Sequence, residues 1–342
     1  MTDPIDMTAF IAGLPKAEIH VHLQGAASVP TVLELSRRHP VPGVPTEETA
    51  LRDFYTFTDF DNFVDVYVAV NQLVRSADDV EALVVGLGRD LADVQVRYAE
   101  VTVTPDSHLD MGIEPDALTS ALTRGRAEVL RRYGVSLAWV FDINGALGVP
   151  SGIRTVEWAE RFLPEGSVGF GLGGPEVGAP RPDYADVFRR AHDLGLMSVP
   201  HAGETTGPQS VRDCIHALHA VRIGHGIAAA QDPELMVELV ERDIVLEVCP
   251  TSNVCTRAVA TLAEHPFPVL RDAGVRVTIN TDDPGMFDTD LNREYRIAHE
   301  VFGLDAAEVA DLAREAVRAS FAPDQRKRAI LDEIDAYVAG PR

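Results

Sequence analysis

Ala17-Glu-Ile-His-Val-His-Leu23 has the pattern of a short buried strand that ends in two histidines. Alternate side chains of a strand point to the same side, so the imidazoles of His20 and His22 can reach one ion. Seven further strand patterns follow, separated by longer amphipathic helical patterns: Arg97–Val103, Ser136–Asp142, Ser167–Leu172, Met197–His201, Ala220–Ile223, Ile244–Cys249 and Val275–Thr281. Eight strands that alternate with helices close a barrel, and we predict an α/β fold of the (β/α)8 TIM-barrel type.

The size and composition favour one large domain over residues 1–342. The chain has 342 residues, of which 46% are hydrophobic and 24% are charged, so a large core can be buried. Residues 28–93 exceed the length of one crossover, and we predict a helical insertion there. Four phenylalanines recur within it at every third residue and predict one apolar helix stripe, either packed on the barrel or forming a lid: Phe54, Phe57, Phe60 and Phe63.

The charge and the cysteines exclude several classes of partner. The formal net charge is −23, so no basic face is available for nucleic acid. No apolar run approaches the roughly 20 residues that a membrane span needs, and the first residues lack the pattern of a signal peptide. Three cysteines without a CxxC pair favour a reducing compartment, and we predict a cytoplasmic protein. The oligomeric state stays open, homo-oligomers included.

Polar residues follow the predicted carboxyl ends of four strands, which is where a barrel collects its catalytic groups. Three histidines and one carboxylate suit zinc, with a coordination position left for water. We therefore predict one Zn²⁺ per chain. The candidate donors at these strand ends are the histidines His20, His22, His201 and His225 and the carboxylates Glu204, Asp282 and Asp283.

A glycine-rich run from Gly169 to Gly174 has the G-x-G-x-x-G spacing of dinucleotide-binding folds. That motif requires a helix directly after it, whose N-terminus holds a pyrophosphate. Pro175, Pro180 and Pro182 follow instead and disfavour such a helix. The run therefore predicts a loop whose backbone approaches a flat ligand, and no NAD is implied.

Five motifs, in this order and at suitable intervals, resemble the adenosine deaminase family from about residue 14 to 330: Leu14-Pro-Lys-Ala-Glu-Ile-His-Val-His22, His201-Ala-Gly-Glu204, Gly224-His-Gly226, Cys249-Pro-Thr-Ser252 and Thr281-Asp-Asp-Pro284. Two longer runs are most similar to one group of that family, the actinobacterial aminodeoxyfutalosine deaminases of menaquinone biosynthesis. These runs are Phe170-Gly-Leu-Gly-Gly-Pro-Glu176 and Ser198-Val-Pro-His-Ala-Gly-Glu-Thr-Thr-Gly-Pro208.

The resemblance implies a reaction and a role for each residue. The expected reaction is hydrolytic removal of the 6-amino group of a purine nucleoside, by attack of a zinc-activated water at C6 and release of ammonia. The family's zinc ligands match His20, His22, His201 and Asp282. Glu204 matches the acid that protonates purine N1, and His225 matches the residue that orients the water and handles its proton. Asp283 matches the carboxylate that faces N7, and Gly174 matches the backbone donor to N3.

Gln24 departs from the family pattern, because many adenosine deaminases have an acid here that meets the ribose 5′-hydroxyl. An amide does not repel a carboxylate, so Gln24 favours a 5′-extended, carboxylate-bearing nucleoside such as 6-amino-6-deoxyfutalosine; neutral drift is the other explanation. Arg181 is a candidate partner for that carboxylate. Adenosine or adenine deamination in purine salvage is the alternative function.

Three other classes match less well. A two-metal amidohydrolase bridged by a carboxylated lysine lacks its lysine, because none occurs between Lys16 and Lys327. The absence of a lysine in this range also excludes a barrel aldolase, which needs a central lysine to form a Schiff base. A catalytically silent zinc barrel is disfavoured because Glu204 and His225 accompany the full ligand set, and cytidine-type deaminases are disfavoured because the P-C-x-x-C signature is absent.

Overall fold

The computed structural model describes residues 5–58 and 60–340, and the side chains of residues 60 and 61 lie outside that description. Within it, nine parallel strands surround a common centre. They are β1 Lys16–His22, β2 Val96–Val103, β3 Ser136–Asn144, β4 Ser167–Gly173, β5 Met197–Ser198, β6 His201–Ala202, β7 Arg222–His225, β8 Val245–Val248 and β9 Arg276–Ile279.

The strands form two sheets, in the orders β1-β2-β3-β4-β5 and β6-β7-β8-β9. The sheets join where β1 meets the residues after β9: the His22 amide donates to the Asp282 carbonyl at 2.8 Å, and the Asp282 amide donates to the His20 carbonyl at 3.0 Å. With β5 and β6 counted as one position, the sheet closes into an eight-position barrel. The predicted TIM-barrel fold is confirmed.

The fifth predicted strand is interrupted at Pro200, which has no N–H to donate to a neighbouring strand. The chain nevertheless stays in the wall of the barrel. The Val199 amide donates to the Phe170 carbonyl at 2.9 Å on one side, and the Gly224 amide donates to the Pro200 carbonyl at 3.0 Å on the other. The sixth predicted strand, Ala220–Ile223, corresponds to β7. This strand begins at Arg222 and ends at His225.

Sixteen helices surround the strands in the described residues. They are α1 Met7–Gly13, α2 Val29–Arg38, α3 Glu48–Phe54, α4 Phe60–Asn71, α5 Ala77–Asp93, α6 Pro105–Asp110, α7 Pro115–Tyr133, α8 Gly148–Phe162, α9 Ala185–Asp193, α10 Pro208–Ala217, α11 Pro233–Glu241, α12 Pro250–Cys255, α13 Phe267–Asp272, α14 Leu291–Glu300, α15 Ala306–Ala319 and α16 Asp324–Ala339. None of them combines the length and apolar character that crossing a bilayer requires.

Local sequence explains where several helices begin. Ser76 accepts a hydrogen bond from the Asp79 amide before α5, and Asp232 caps α11, whose first residue is a proline. α15 begins with a reciprocal capping box between Asp305 and Glu308. Each cap satisfies backbone N–H groups that the first helical turn leaves without partners.

The insertion between β1 and β2 contains helices α2 to α5, but the prediction of a single phenylalanine-striped helix is wrong. α3 ends at Phe54, Phe57 lies in the connection before α4, and the side chain of Phe60 lies outside the described residues. Phe57 and Phe63 instead pack on Phe287 from the loop after β9, with ring centroids 5.8 and 5.0 Å away. This aromatic contact seats α4 against the barrel mouth.

Candidate active site

The predicted metal ligands converge at the mouth of the barrel. One ligand atom from each of His20, His22, His201 and Asp282 lies within 4.8 Å of every other. His22 Nε2 is 3.1 Å from His201 Nε2, and Asp282 Oδ1 is 3.4 Å from His20 Nε2 and 3.3 Å from His22 Nε2. Two strands, β1 and β6, and the loop after a third, β9, thus aim their donors at one point.

The chemistry of these donors fits a metal cation. Among the described residues, no side chain or backbone group forms a hydrogen bond with the buried His20 Nε2. Burial lowers the pKa of His22 to about 4 and that of His201 well below its usual range, so both rings are neutral and can offer a lone pair. Burial acts the same way on His20, but the Asp282 and Glu247 carboxylates outweigh it and raise its pKa to about 10. A cation at Nε2 would replace that proton.

A buried chain of charges holds His20. Its Nδ1 lies 2.9 Å from Glu247 Oε2, and Glu247 Oε1 lies 2.6 Å from Arg222 Nε. Arg222 also pairs with Glu100 and donates to the Ala319 carbonyl at 2.8 Å. A carboxylate on Nδ1 fixes the imidazole with Nε2 facing the metal position, which is the usual way in which proteins orient metal-ligating histidines.

Asp282 sits in the left-handed backbone region, at φ 64°, three residues after the end of β9. Its Oδ2 accepts a hydrogen bond from Ser252 Oγ at 2.6 Å, which leaves Oδ1 facing the histidines. Ser252 comes from α12, the element after β8. The strained turn therefore directs one carboxylate oxygen toward the cluster and the other toward a fixed donor.

Glu204 lies on the loop after β6, beside His225. Its Oε2 is 3.5 Å from His225 Nε2, and its Oε1 accepts a hydrogen bond from Thr256 Oγ1 at 2.9 Å. Burial raises the pKa of Glu204 above its usual value, although the neighbouring His225 opposes the shift. A raised pKa favours the protonated form of the carboxyl group, which can donate a proton.

Glu176 holds the loop that carries Glu204. Its carboxylate accepts from the amides of Gly203 at 2.7 Å, Glu204 at 2.8 Å and Thr205 at 2.7 Å, and from Thr206 Oγ1 at 2.6 Å. Burial opposes ionisation of Glu176, but these hydrogen bonds lower its pKa to about 2. Glu176 ends the family motif Phe170–Glu176, and no role was predicted for it from the sequence.

His225 is the buried last residue of β7 and lies at φ 59°. Its Nδ1 lies 3.1 Å from Asn253 Nδ2, and Asn253 Oδ1 lies 3.2 Å from His265 Nε2. The Asn253 amide therefore donates to Nδ1, which leaves Nε2 toward Glu204 and Asp282. Because Asn253 follows the quoted Cys249-Pro-Thr-Ser252 motif directly, its position was the available signal.

Asp283 is buried beside the cluster, and no described residue forms a hydrogen bond with its Oδ1. Burial, and then the adjacent Asp282 carboxylate, raise its pKa well above the usual range. Gly25 gives it room, since a Cβ at Gly25 would lie 1.5 Å from Asp283 Oδ1. Only glycine permits this placement of the carboxyl group.

These groups face one cavity of about 460 Å³. His22, His201, Glu204, His225, Asp282 and Asp283 line its floor, Gly174 lines the β4 side, and Phe63, Val64, Tyr67 and Val68 cover it from α4. Thr104, Ser107, Asn71, Gln72 and Asn144 supply polar groups elsewhere. Among the described lining residues none is an arginine or a lysine.

Two residues lie elsewhere than at the cavity wall. Gln24 is buried and pairs with His108 (Nε2 to Nε2, 2.9 Å), so its direct contact with a substrate stays a prediction. The prediction that Arg181 awaits a substrate carboxylate is wrong. Its buried guanidinium donates to the His201 carbonyl at 3.1 and 2.9 Å and to the Ala179 carbonyl at 2.9 Å, so it supports the wall behind the site.

A parallel barrel with three histidines and an aspartate at its mouth, facing a cavity with a buried acid, is a hydrolase of the amidohydrolase type. The sequence model described as adenosine deaminase matches residues 15–337, nearly the whole chain. The protein belongs to the adenosine deaminase family and is a deaminase, a hydrolase that acts on C–N bonds.

Individual relatives agree with this membership. The chain is 52% identical to an aminodeoxyfutalosine deaminase of Streptomyces coelicolor, over 98% of this chain and 87% of that protein. The solved adenine deaminase of Arthrobacter aurescens is similar at a TM-score of 0.91 and 29% identity, over 96% of this chain and 100% of that one. A solved amidohydrolase of Burkhoderia ambifaria, which has bound zinc, shares the fold at a TM-score of 0.89 and 23% identity, over 98% and 95% of the two chains.

Proposed function

We propose that this protein deaminates a 6-aminopurine nucleoside by zinc-dependent hydrolysis, with one Zn²⁺ held by His20, His22, His201 and Asp282. The observation that carries the proposal is the convergence of these four donors on one point beside a cavity that the acid Glu204 also lines. The name of the 52% identical relative supports a purine nucleoside as the substrate.

Zinc bound at this site would supply an activated water, because the metal lowers the pKa of water to about 7. The remaining work falls to side chains. Because Asn253 donates to Nδ1 of His225, the proton of the neutral ring lies on Nε2, which can donate a hydrogen bond to the attacking water and orient it. His225 Nε2 lies 3.9 Å from Asp282 Oδ2, so it would orient the water beside the ligand cluster.

Glu204 supplies the proton that purine N1 needs. Protonation of N1 makes C6 electrophilic, and a buried, protonated carboxyl group is suited to donate it. Thr256 fixes one oxygen and leaves the other free to reach the ring. The ammonia that leaves carries the former 6-amino group.

Asp283 and Gly174 fix the orientation of the purine ring in the cavity. A protonated Asp283 donates to purine N7, and the Gly174 amide donates to N3. Gly174 lines the cavity and adopts φ 79°, a left-handed backbone conformation that suits glycine. Donors at N7 and N3 orient the ring so that C6 faces the metal cluster.

We further propose that the 5′ substituent is the carboxylate-bearing group of 6-amino-6-deoxyfutalosine. Burial lowers the pKa of His108 to about 4, so the Gln24–His108 pair carries no charge and does not repel an anion. The cavity offers neutral amide and hydroxyl groups at Asn71, Gln72 and Ser107 for a carboxylate. The 52% identity to an aminodeoxyfutalosine deaminase supports this choice.

The test compares kcat/KM for aminodeoxyfutalosine, adenosine and adenine, with released ammonia as the readout. We expect aminodeoxyfutalosine to exceed both by at least about tenfold, or about 1.4 kcal/mol in the transition state. An advantage for adenosine or adenine of that size would overturn the 5′ assignment and leave deamination standing. Turnover of none of the three by the zinc-loaded enzyme would overturn the purine assignment.

Gln24→Asp provides a variant for the same comparison. A carboxylate at this position should lower kcat/KM for aminodeoxyfutalosine more than for adenosine, because only the former carries a negative charge at its 5′ end. Gln24→Asn is the matched control, since it shortens the side chain without adding charge. Equal losses with both substrates in Gln24→Asp would contradict the role of charge at this position.

A further inference from the structure

Asp142 is a buried carboxylate of the cavity for which the reaction above has no use. It lies near the end of β3, is 3% exposed and belongs to the lining. No arginine, lysine or histidine of the described residues forms an ion pair with it, and it is not part of the metal-ligand cluster. Burying a carboxylate without a cation is costly, so a group that later binds to it would offset the cost.

The two oxygens of Asp142 have different surroundings. Oδ1 accepts a hydrogen bond from Thr104 Oγ1 at 2.5 Å. Oδ2 receives none from another described residue, and it lies on the side of Gly173: a Cβ at Gly173 would be 2.7 Å from Oδ2 and 3.8 Å from Cε1 of both His22 and His201. Thr104 therefore holds the carboxylate in one orientation, with Oδ2 beside the metal-ligand histidines.

The position of the purine places the sugar near this oxygen. With Glu204 at N1, Gly174 at N3 and Asp283 at N7, N9 lies on the ring edge that points away from Glu204. The glycosidic bond leaves from that edge, next to the β4 side where Gly173 precedes Gly174. A carboxylate accepts hydrogen bonds from vicinal ribose hydroxyls, as the acidic residue of dinucleotide-binding folds does.

We propose that Asp142, held by Thr104, binds a ring hydroxyl of the ribose and makes the enzyme select ribonucleosides. The inference rests on the proposed function, since it requires a purine nucleoside in the cavity. Gly173 is needed for this arrangement, because the side chain of any larger residue would displace Asp142 Oδ2.

The test removes the two partners separately and together. The substrates are the ribonucleoside that the wild-type enzyme turns over best and its 2′-deoxy and 3′-deoxy analogues. In the wild-type enzyme, at least one analogue should lose about tenfold to a hundredfold in kcat/KM, the usual effect of a hydrogen bond to a charged group. Asp142→Ala should lose a similar factor in kcat/KM with the ribonucleoside. In this variant, kcat/KM for that analogue should be less than about threefold below kcat/KM for the ribonucleoside.

Asp142→Asn and Thr104→Val complete the series, with zinc content measured for every variant. Asp142→Asn retains one acceptor oxygen and should fall between wild type and Asp142→Ala. Thr104→Val should lower the discrimination between ribose and deoxyribose while zinc is retained. Equal losses with all three substrates in Asp142→Ala would overturn the inference, and so would a wild-type enzyme that is indifferent to both hydroxyls. Failure of the wild-type enzyme to turn over any purine would overturn the proposed function instead.

Discussion

Replacing Glu176 with glutamine should weaken both the stability of the protein and its turnover. One Glu176 oxygen, Oε1, accepts from the amides of Glu204 and Thr205, and the other, Oε2, accepts from the Gly203 amide and Thr206 Oγ1. A glutamine must place its NH₂ group on one of these two sides. On the Oε1 side it would face the Glu204 and Thr205 N–H groups, which have no other acceptor among the described residues.

Placing the glutamine NH₂ group on the Oε2 side costs less free energy than placing it on the Oε1 side. The Gly203 amide can still donate to Ser210 Oγ at 2.9 Å, and the Thr206 hydroxyl can turn to accept. The expected loss is then that of one hydrogen bond to a charged acceptor, about 1.5–3 kcal/mol. The pKa gives the same size: a shift from the ordinary 4.5 to about 2 corresponds to about 3 kcal/mol.

The sign of the pH dependence follows from the lowered pKa of Glu176. Its contribution is fully present above pH 4.5, where the unfolded carboxyl group is also ionised, and is lost as the pH falls toward about 2. The difference in unfolding free energy between wild type and Glu176→Gln should therefore be constant near neutral pH and shrink in acid. Turnover should fall at pH 7, because the loop no longer holds Glu204 in place, while zinc is retained.

The assay is urea unfolding at several pH values, together with kcat and zinc content at pH 7. Glu157→Gln is the matched control: Glu157 is exposed on α8, and its replacement should change stability by less than about 0.5 kcal/mol. Wild-type stability and kcat in Glu176→Gln would refute the reasoning. Loss of zinc together with activity would show that Glu176 supports the metal cluster rather than the acid.

Three further predictions concern the metal cluster and the acids. Glu204→Gln should retain zinc and lose roughly 10²–10⁴-fold in kcat, whereas His201→Ala should lose both zinc and activity; zinc loss in Glu204→Gln would be the contrary result. Ser252→Ala should weaken zinc binding about 10- to 100-fold in a chelator competition, because Asp282 Oδ2 loses its donor at 2.6 Å, and unchanged affinity would contradict this. Burial and Asp282 raise the pKa of Asp283, so activity that needs the protonated form declines as the pH rises; Asp283→Asn should alter this alkaline limb of the kcat/KM profile, and an unchanged limb would count against a protonated Asp283.

Sequence periodicity was sufficient for the barrel because strands and ligands follow the same rule. Inward-facing residues at strand ends must meet, so His20, His22 and His201 could be placed together without coordinates. The division of the fifth strand was not predicted, although Pro200 was its visible cause. The prediction of one helix over the four phenylalanines was wrong. A spacing of three suits one continuous helix, whereas α3 ends at Phe54 and a separate helix begins after it.

The residues that hold the catalytic groups were harder to predict. Glu247 stands inside the apolar run of β8, and a lone charge in a buried strand was a signal of a buried partner. Asn253 and Glu176 act through contacts with residues 28 positions or so away, for which no local pattern exists. Arg181 was misassigned because sequence gives the charge of a guanidinium but not the carbonyls that bind it.

The charge chain beneath His20 links the metal cluster to the far end of the polypeptide. Arg222, which holds Glu247 against His20, is itself anchored by the carbonyl of Ala319, at the end of α15. During synthesis, the first ligand strand therefore emerges long before the segment that completes its support. A chain cut short before α15 would lack that anchor, so the support of His20 is complete only once α15 has packed onto the barrel.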